Sequence, residues 1–398
     1  MIISGSGRHE VEAVEERVAL LDVLAQAPAV DHHCHGIVKD EVSAQSFQKL
    51  ATESDLPQGP GGDVFDSPVG VAIRAECAPL LDLPRHVDAE SYLSRRAELG
   101  QREVTRRLLA AANISTYLVD TGFCADEITS PDELAAVSGT QGFEIARLES
   151  LAERLAAEGV GAQGFYDAFR AELESALRTA VGVKSIIAYR HGFDFDPARP
   201  TEAEIRSAAG AWLSSPERRL SDPVLLRALL WAAVDAGKPI QMHVGFGDSD
   251  IVLHRCDPTH MTEFLRATVT TGTPIMLLHN YPFVREAGYL AHVYPHVYLD
   301  TGLAAGFSGA SATSIVRESL EIAPFTKVLF STDAYGLPEL YLVGALRHRL
   351  ALARVFGEWL EADAIGEADA RRYLRLLMGG NAQRAYGLTP HQSAATSA

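Results

Sequence analysis

The chain has 398 residues, 47% of them hydrophobic, which is ample for a large buried core. Its net charge of -17 argues against nucleic acid and against anionic membrane surfaces, both of which need a basic face. Four scattered cysteines, Cys34, Cys77, Cys124 and Cys256, form no C-x-x-C pair, so no zinc knuckle or thiol redox motif is expected and the thiols should be free.

In chain order, Val11 to Gln26 carries apolar residues at helical spacing and reads as an amphipathic helix. It feeds a strand at Ala27–His33 that ends in Asp31-His32-His33-Cys34-His35-Gly36. Strand alternation places Asp31, His33 and His35 on one face and His32 and Cys34 on the other. Two imidazoles on one face can grip one metal ion, and Asp31 beneath them can orient one ring, which leaves His32 and Cys34 as packing residues. Residues 36–99 read as an insertion after this strand, with helices at Glu41–Thr52, Val69–Leu80 and Ala89–Leu99 around a Pro/Gly/Asp-rich loop.

Beyond it, helix Glu103–Ala112 precedes a strand at Ser115–Val119, ending in Asp120-Thr121-Gly122. Further strands are expected at Phe143–Leu148, Val181–Ala188, Lys238–Val244, Pro274–His279, His296–Leu299 and Lys327–Ser331. Helices intervene at Phe165–Arg178, Thr201–Leu213, Pro223–Ala236, Met261–Val269, Gly288–Val293 and Ser311–Ile322. Three helices close the chain at Glu339–Val355, Glu358–Ala364 and Ala368–Met378. Eight strands alternating with helices predict an α/β fold, a (β/α)8 TIM barrel, as one domain over residues 1–390 with a disordered tail at 391–398. A doubly wound sheet would carry a glycine-rich phosphate loop after the first strand, where this chain has His-x-His.

In a barrel the active site lies at the C-terminal strand ends. There the chain sets His33 and His35, then Lys184 with Tyr189 and Arg190, then His243, His279 and Asp333. Ligand types from positions three hundred residues apart converge on one rim, which packing does not explain. These residues in this order resemble the metal-dependent amidohydrolase superfamily, and more closely its amidohydrolase-2 group. Within that group the chain resembles the module fused to glutamine-synthetase-like domains in fungi and plants. The segments that carry the likeness are His243-Val-Gly-Phe-Gly-Asp248, Leu278-His279-Asn-Tyr-Pro282, Tyr298-Leu-Asp-Thr-Gly302, Phe330-Ser-Thr-Asp333 with Pro338-Glu339, and Gly380-Asn381-Ala382 with Tyr386-Gly387.

The resemblance implies one divalent metal on His33, His35, His243 and Asp333, with Asp333 also the general base. Mixed nitrogen and oxygen ligands favour zinc, with manganese, iron or nickel as alternatives. His279 ligates a second metal or donates a hydrogen bond to substrate, and the donor role is preferred. Lys184 is a carboxylated metal bridge, a paired structural lysine or a cation facing substrate, and the one-metal expectation favours the last. Arg190 offers a planar fork to a substrate carboxylate, with a surface salt bridge as the equal alternative. Asp248 and Asp250 are expected to shape the loop after strand five, and Asp300 to cap a strand end. The implied activity is hydrolysis of a carbon–nitrogen bond, other than a peptide bond, in a small carboxylate-bearing substrate. A metal-dependent decarboxylase of the same group is the alternative. No secretory leader pattern or membrane-length apolar run is visible, so the expected compartment is the cytoplasm, and a homo-oligomer is left open.

Overall fold

In the computed structural model, Leu20, residues 22–57 and residues 59–389 are described. Most of the expected Val11–Gln26 helix and the expected 391–398 tail lie outside them. Seven parallel strands form one curled sheet in sequence order: β1 Ala29–Cys34, β2 Ile114–Asp120, β3 Gln141–Arg147, β4 Gly182–Ser185, β5 Ile240–Val244, β6 Ile275–His279 and β7 Val297–Leu299. Strand interiors are apolar because helices cover the outer face while a second cluster fills the inner one. That inner cluster contains Val30, Leu118, Ile145, Met276, Leu278 and Leu329, with Ala382 and Tyr386 packed among them.

The expected eighth strand differs. Residues 327–334 make one bridge, Val328 to Leu299, and no ladder. Their backbone nonetheless bonds both edges of the sheet. The Leu299 and Leu329 amides bond the Lys327 and Leu299 carbonyls, and the His32 and Asp333 amides donate to the Phe330 and His33 carbonyls at 3.1 and 3.0 Å. No ladder forms where Asp31 accepts from the Thr332 amide at 2.9 Å and Asp333 turns to a φ of 51°.

Between β1 and β2 the chain builds helices at Ala44–Leu50, Pro68–Glu76, Ala89–Leu99 and Gln101–Ala112. Two of the expected closing helices are one, Pro338–Glu361, because Gly357 is buried within it and packing outweighs the ~1 kcal/mol helical cost of glycine. The third is Glu367–Arg375, with the short Asn381–Tyr386 helix after it. The Pro131–Ser138 helix was legible in its capping box, Ser130 with Glu133, which sequence periodicity overlooked.

His348, on the long helix, is buried against Phe330 with both ring nitrogens unpartnered among the described residues. Burial and neighbouring Arg349 push its pKa down to about 4. The unfolded chain therefore takes up this proton first, so the contribution is intact above about pH 6.5 and is lost as pH falls toward 4. His348→Leu is expected to flatten stability over that window by roughly 1.4 kcal/mol per pH unit, read as urea midpoints at pH 7 and pH 5.

Candidate metal centre

The polar ends of the strands meet over the inner cluster. β1 is not regular: its register against β2 slips between Asp31 and Cys34. A slip of this kind re-aims side chains. His32 and His33 accordingly both reach interior groups, His32 to Tyr386 and Asp300, His33 to Gln241. Asp31 does not orient a histidine ring as alternation had implied. It accepts hydrogen bonds from the Thr332 amide and hydroxyl and so holds the segment leading to Asp333. His32 is correspondingly more than a packing residue.

Five side chains crowd one point. Asp333 Oδ1 lies 2.9 Å from His33 Nε2 and 3.6 Å from His35 Nε2, and Asp333 Oδ2 lies 3.4 Å from His279 Nε2. Lys184 Nζ is 3.3 Å from His33 Nε2. Ligand atoms of His33, His279 and Asp333 lie within 4.8 Å of one another, as do those of His33, His35 and Asp120. Both ring nitrogens of His279 and Oδ1 of Asp333 are buried without a hydrogen-bond partner among the described residues. Orphaned buried polar atoms are costly, and a bound cation would satisfy them. Neutral imidazoles with one carboxylate suit a borderline divalent ion.

His279 and Asp333 both adopt left-handed backbone, φ 69° and 51°. Such conformations in non-glycine residues cost on the order of 1–3 kcal/mol each and persist where the surroundings over-determine them. Here Asp300 Oδ1 accepts from the His279 amide at 3.0 Å and from Gly302 at 2.8 Å, which caps the strand end and fixes the turn.

Burial, reinforced by the Lys184 charge, keeps the His33 imidazole well below its ordinary pKa. His243 and His279 are depressed the same way, so these rings stay neutral and ligand-competent. Burial lifts Asp333 to about 6, against the pull of His35 and Lys184. Burial lowers Lys184 to about 8.

His243 stands apart from the tight groups. Its Nε2–H donates to the Phe246 carbonyl at 3.0 Å, so Nδ1 carries the lone pair. Its ring lies between Tyr189 and His279, at 4.5 and 4.7 Å between centroids. A cavity of about 650 Å³ opens above, lined by His33, His35, Lys184, Tyr189, His243 and Asp333. Arg190 also lines it and pairs with Glu153 at 3.1 Å, the salt bridge that was one of its two sequence alternatives. Asp248 turns the loop by accepting from the Asp250 amide at 2.9 Å, and Asp250 pairs with Arg219 at 2.8 Å.

A family model for amidohydrolases matches residues 131–388. The chain belongs to the amidohydrolase family. A curated relative, protein fluG of Emericella nidulans, is 28% identical over 93% of this amidohydrolase, which spans about half (47%) of that relative's length. A structure provisionally described as a metal-dependent hydrolase from Lactobacillus casei is 28% identical, with a TM-score of 0.82 over 92% of this chain and 97% of that one. A uronate isomerase from Bacillus halodurans, 14% identical with a TM-score of 0.69 over 98% of both chains, shares the fold.

The amidohydrolase also places residues in the site that sequence reasoning passed over. Asp120 and Arg147 pair at 2.6 Å at the ends of β2 and β3, and Arg147 lines the cavity. Their strand-end positions were a usable signal. Burial raises the Asp120 carboxyl, but Arg147, His35 and Lys184 outweigh that and hold it well below the usual range. Gln241 lies two residues before His243 on β5, the spacing that shares a face. Glu53 reaches the cavity from the loop after the Ala44–Leu50 helix, and no local pattern announced it.

Proposed function

We propose that this amidohydrolase cleaves a carbon–nitrogen bond, of amide type and other than a peptide bond, in a small carboxylate-bearing molecule. The observation that carries the proposal is the buried convergence of His33, His279 and Asp333, with atoms of His279 and Asp333 unpartnered among the described residues, beside an arginine-bearing cavity that His33 and Asp333 line. His33, His35, His243 and Asp333 would hold one divalent ion, zinc by donor type. When bound, such an ion acidifies water and polarises a carbonyl.

The chain's own groups divide the remaining work. Asp333 takes the proton of the attacking water and returns it to the leaving nitrogen. His279 donates to the oxygen on which charge develops. Lys184, Tyr189 and Arg190 line the cavity where a substrate carboxylate would lie, and the guanidinium of Arg190 can receive it bidentately. Residues 36–99 act as an insertion over the site in a single (β/α)8 unit. Lys49, Thr52, Glu53, Ser54 and Asp55 on the cavity wall support that reading.

The test is metal analysis of the purified protein together with a panel of small carboxylate-bearing amides. Amine release that chelation abolishes and zinc restores is the expected result. Carbon dioxide release without amine would replace hydrolysis by the decarboxylase reading. A metal-free protein indifferent to added ions, with neither product, would overturn both.

A further inference from the structure

Behind the site lies a chain of hydrogen bonds whose direction is set by one backbone carbonyl. Gln241 points its side-chain amide at three groups. Its Nε2 lies 2.6 Å from the His32 carbonyl oxygen and 2.9 Å from the Tyr386 hydroxyl, and its Oε1 lies 2.8 Å from His33 Nδ1. A carbonyl oxygen only accepts, so the nitrogen of the Gln241 amide must face His32. The amide oxygen then faces His33, and His33 Nδ1 must carry the proton. This leaves His33 Nε2 bare, on the side of Asp333 and Lys184.

The other arm is equally directional. His32 Nε2 lies 2.8 Å from Asp300 Oδ2, and its Nδ1 lies 3.1 Å from the Tyr386 hydroxyl. With Nε2–H donated to the carboxylate, Nδ1 accepts the tyrosine proton, and the tyrosine oxygen accepts from Gln241. Asp300 also holds the His279 backbone. All five side chains are buried, and Tyr386 comes from the last described helix.

We propose that Gln241 is the positioning residue that sets the ligand tautomer of His33, with Tyr386 and His32 anchoring it to Asp300. The C-terminal Asn381–Tyr386 helix thereby becomes part of metal retention, not only a plug of the sheet interior. The proposal rests on the metal-centre reading for its consequence, and on hydrogen-bond polarity alone for the tautomer.

The experiment uses the full-length chain with Gln241→Met, Gln241→Glu and Tyr386→Phe. Metal-stripped protein is read by the ¹⁵N shifts of its histidine rings, and zinc affinity by chelator competition. The wild type should show His33 as the Nδ1–H tautomer. Gln241→Met should lose that signature and bind zinc roughly 10–100-fold more weakly, the usual effect of removing a partner that orients a ligand. Gln241→Glu keeps an acceptor toward His33 and, protonated in this buried position so that its O–H replaces the donor to the His32 carbonyl, should restore the tautomer and most of the affinity. Tyr386→Phe should fall between. An Nε2–H tautomer for His33 in the metal-stripped wild type would overturn the proposal. So would a Gln241→Met protein of wild-type melting temperature that binds zinc within twofold of wild type. If the wild type itself binds no zinc, the metal-centre reading fails while the tautomer measurement still decides the role of Gln241.

Discussion

Asp333→Asn should abolish most turnover, by about 1000-fold, while leaving the metal-free fold intact or firmer. In the proposed reaction the carboxylate ligates and moves a proton, and the amide does neither at neutral pH. Its removal is not costly to the fold. Burial already lifts the acid to about 6, so the charged form is held against its solvation preference. Asparagine tolerates the left-handed φ of 51° at this position better than most residues. The expected record is a lost metal stoichiometry, a kcat near background and an unchanged or raised urea midpoint for chelated protein. Turnover within tenfold of wild type would remove Asp333 from the reaction.

Arg96→Ala should cost about 3–5 kcal/mol of stability, the range for breaking a buried ion pair. Arg96 and Glu339 are both buried and meet at 2.7 Å. Tyr92 donates to the same Glu339 oxygen at 3.1 Å, and Arg96 also reaches Gln101 at 2.8 Å. Deleting the arginine leaves the carboxylate of Glu339 in the interior with only the tyrosine. The pair joins the Ala89–Leu99 helix to the first turn of the long Pro338–Glu361 helix, which follows the Asp333 segment. Loosening it should therefore lower the denaturant midpoint and slacken the site together. Arg96→Met with Glu339→Gln should be markedly milder than the single alanine change, since no charge is left unpaired. Equal losses in the two proteins would show that packing, not the ion pair, holds this joint.

Much of the site was legible because its chemistry sits at strand ends. His33, His279 and Asp333 were found from residue type and from the apolar runs before them, and the folded chain brings their ligand atoms within 4.8 Å. Arg147 and Asp120 stood in equivalent places and were passed over, since nothing local showed that the two strand ends pair with each other. Arg95 and Arg96 are adjacent and alike in sequence. One is a partly exposed surface ion pair and the other a buried joint, a difference set by Glu339 more than two hundred residues away.

What the sequence determined by itself is the alternation of apolar strands with amphipathic helices and the identity of the groups at the strand ends. Both follow from local periodicity, which short segments carry in full. What only the tertiary structure decided is direction. The register slip in β1 turns His32 inward beside His33, and Asp31 spends its oxygens on Thr332. The Lys327–Ala334 segment links the sheet edges without becoming a ladder. The proton on His33 is set by a glutamine on β5 and a tyrosine near the end of the described chain. Hydrogen-bond polarity and register depend on partners distant in sequence, and no window of neighbouring residues contains them.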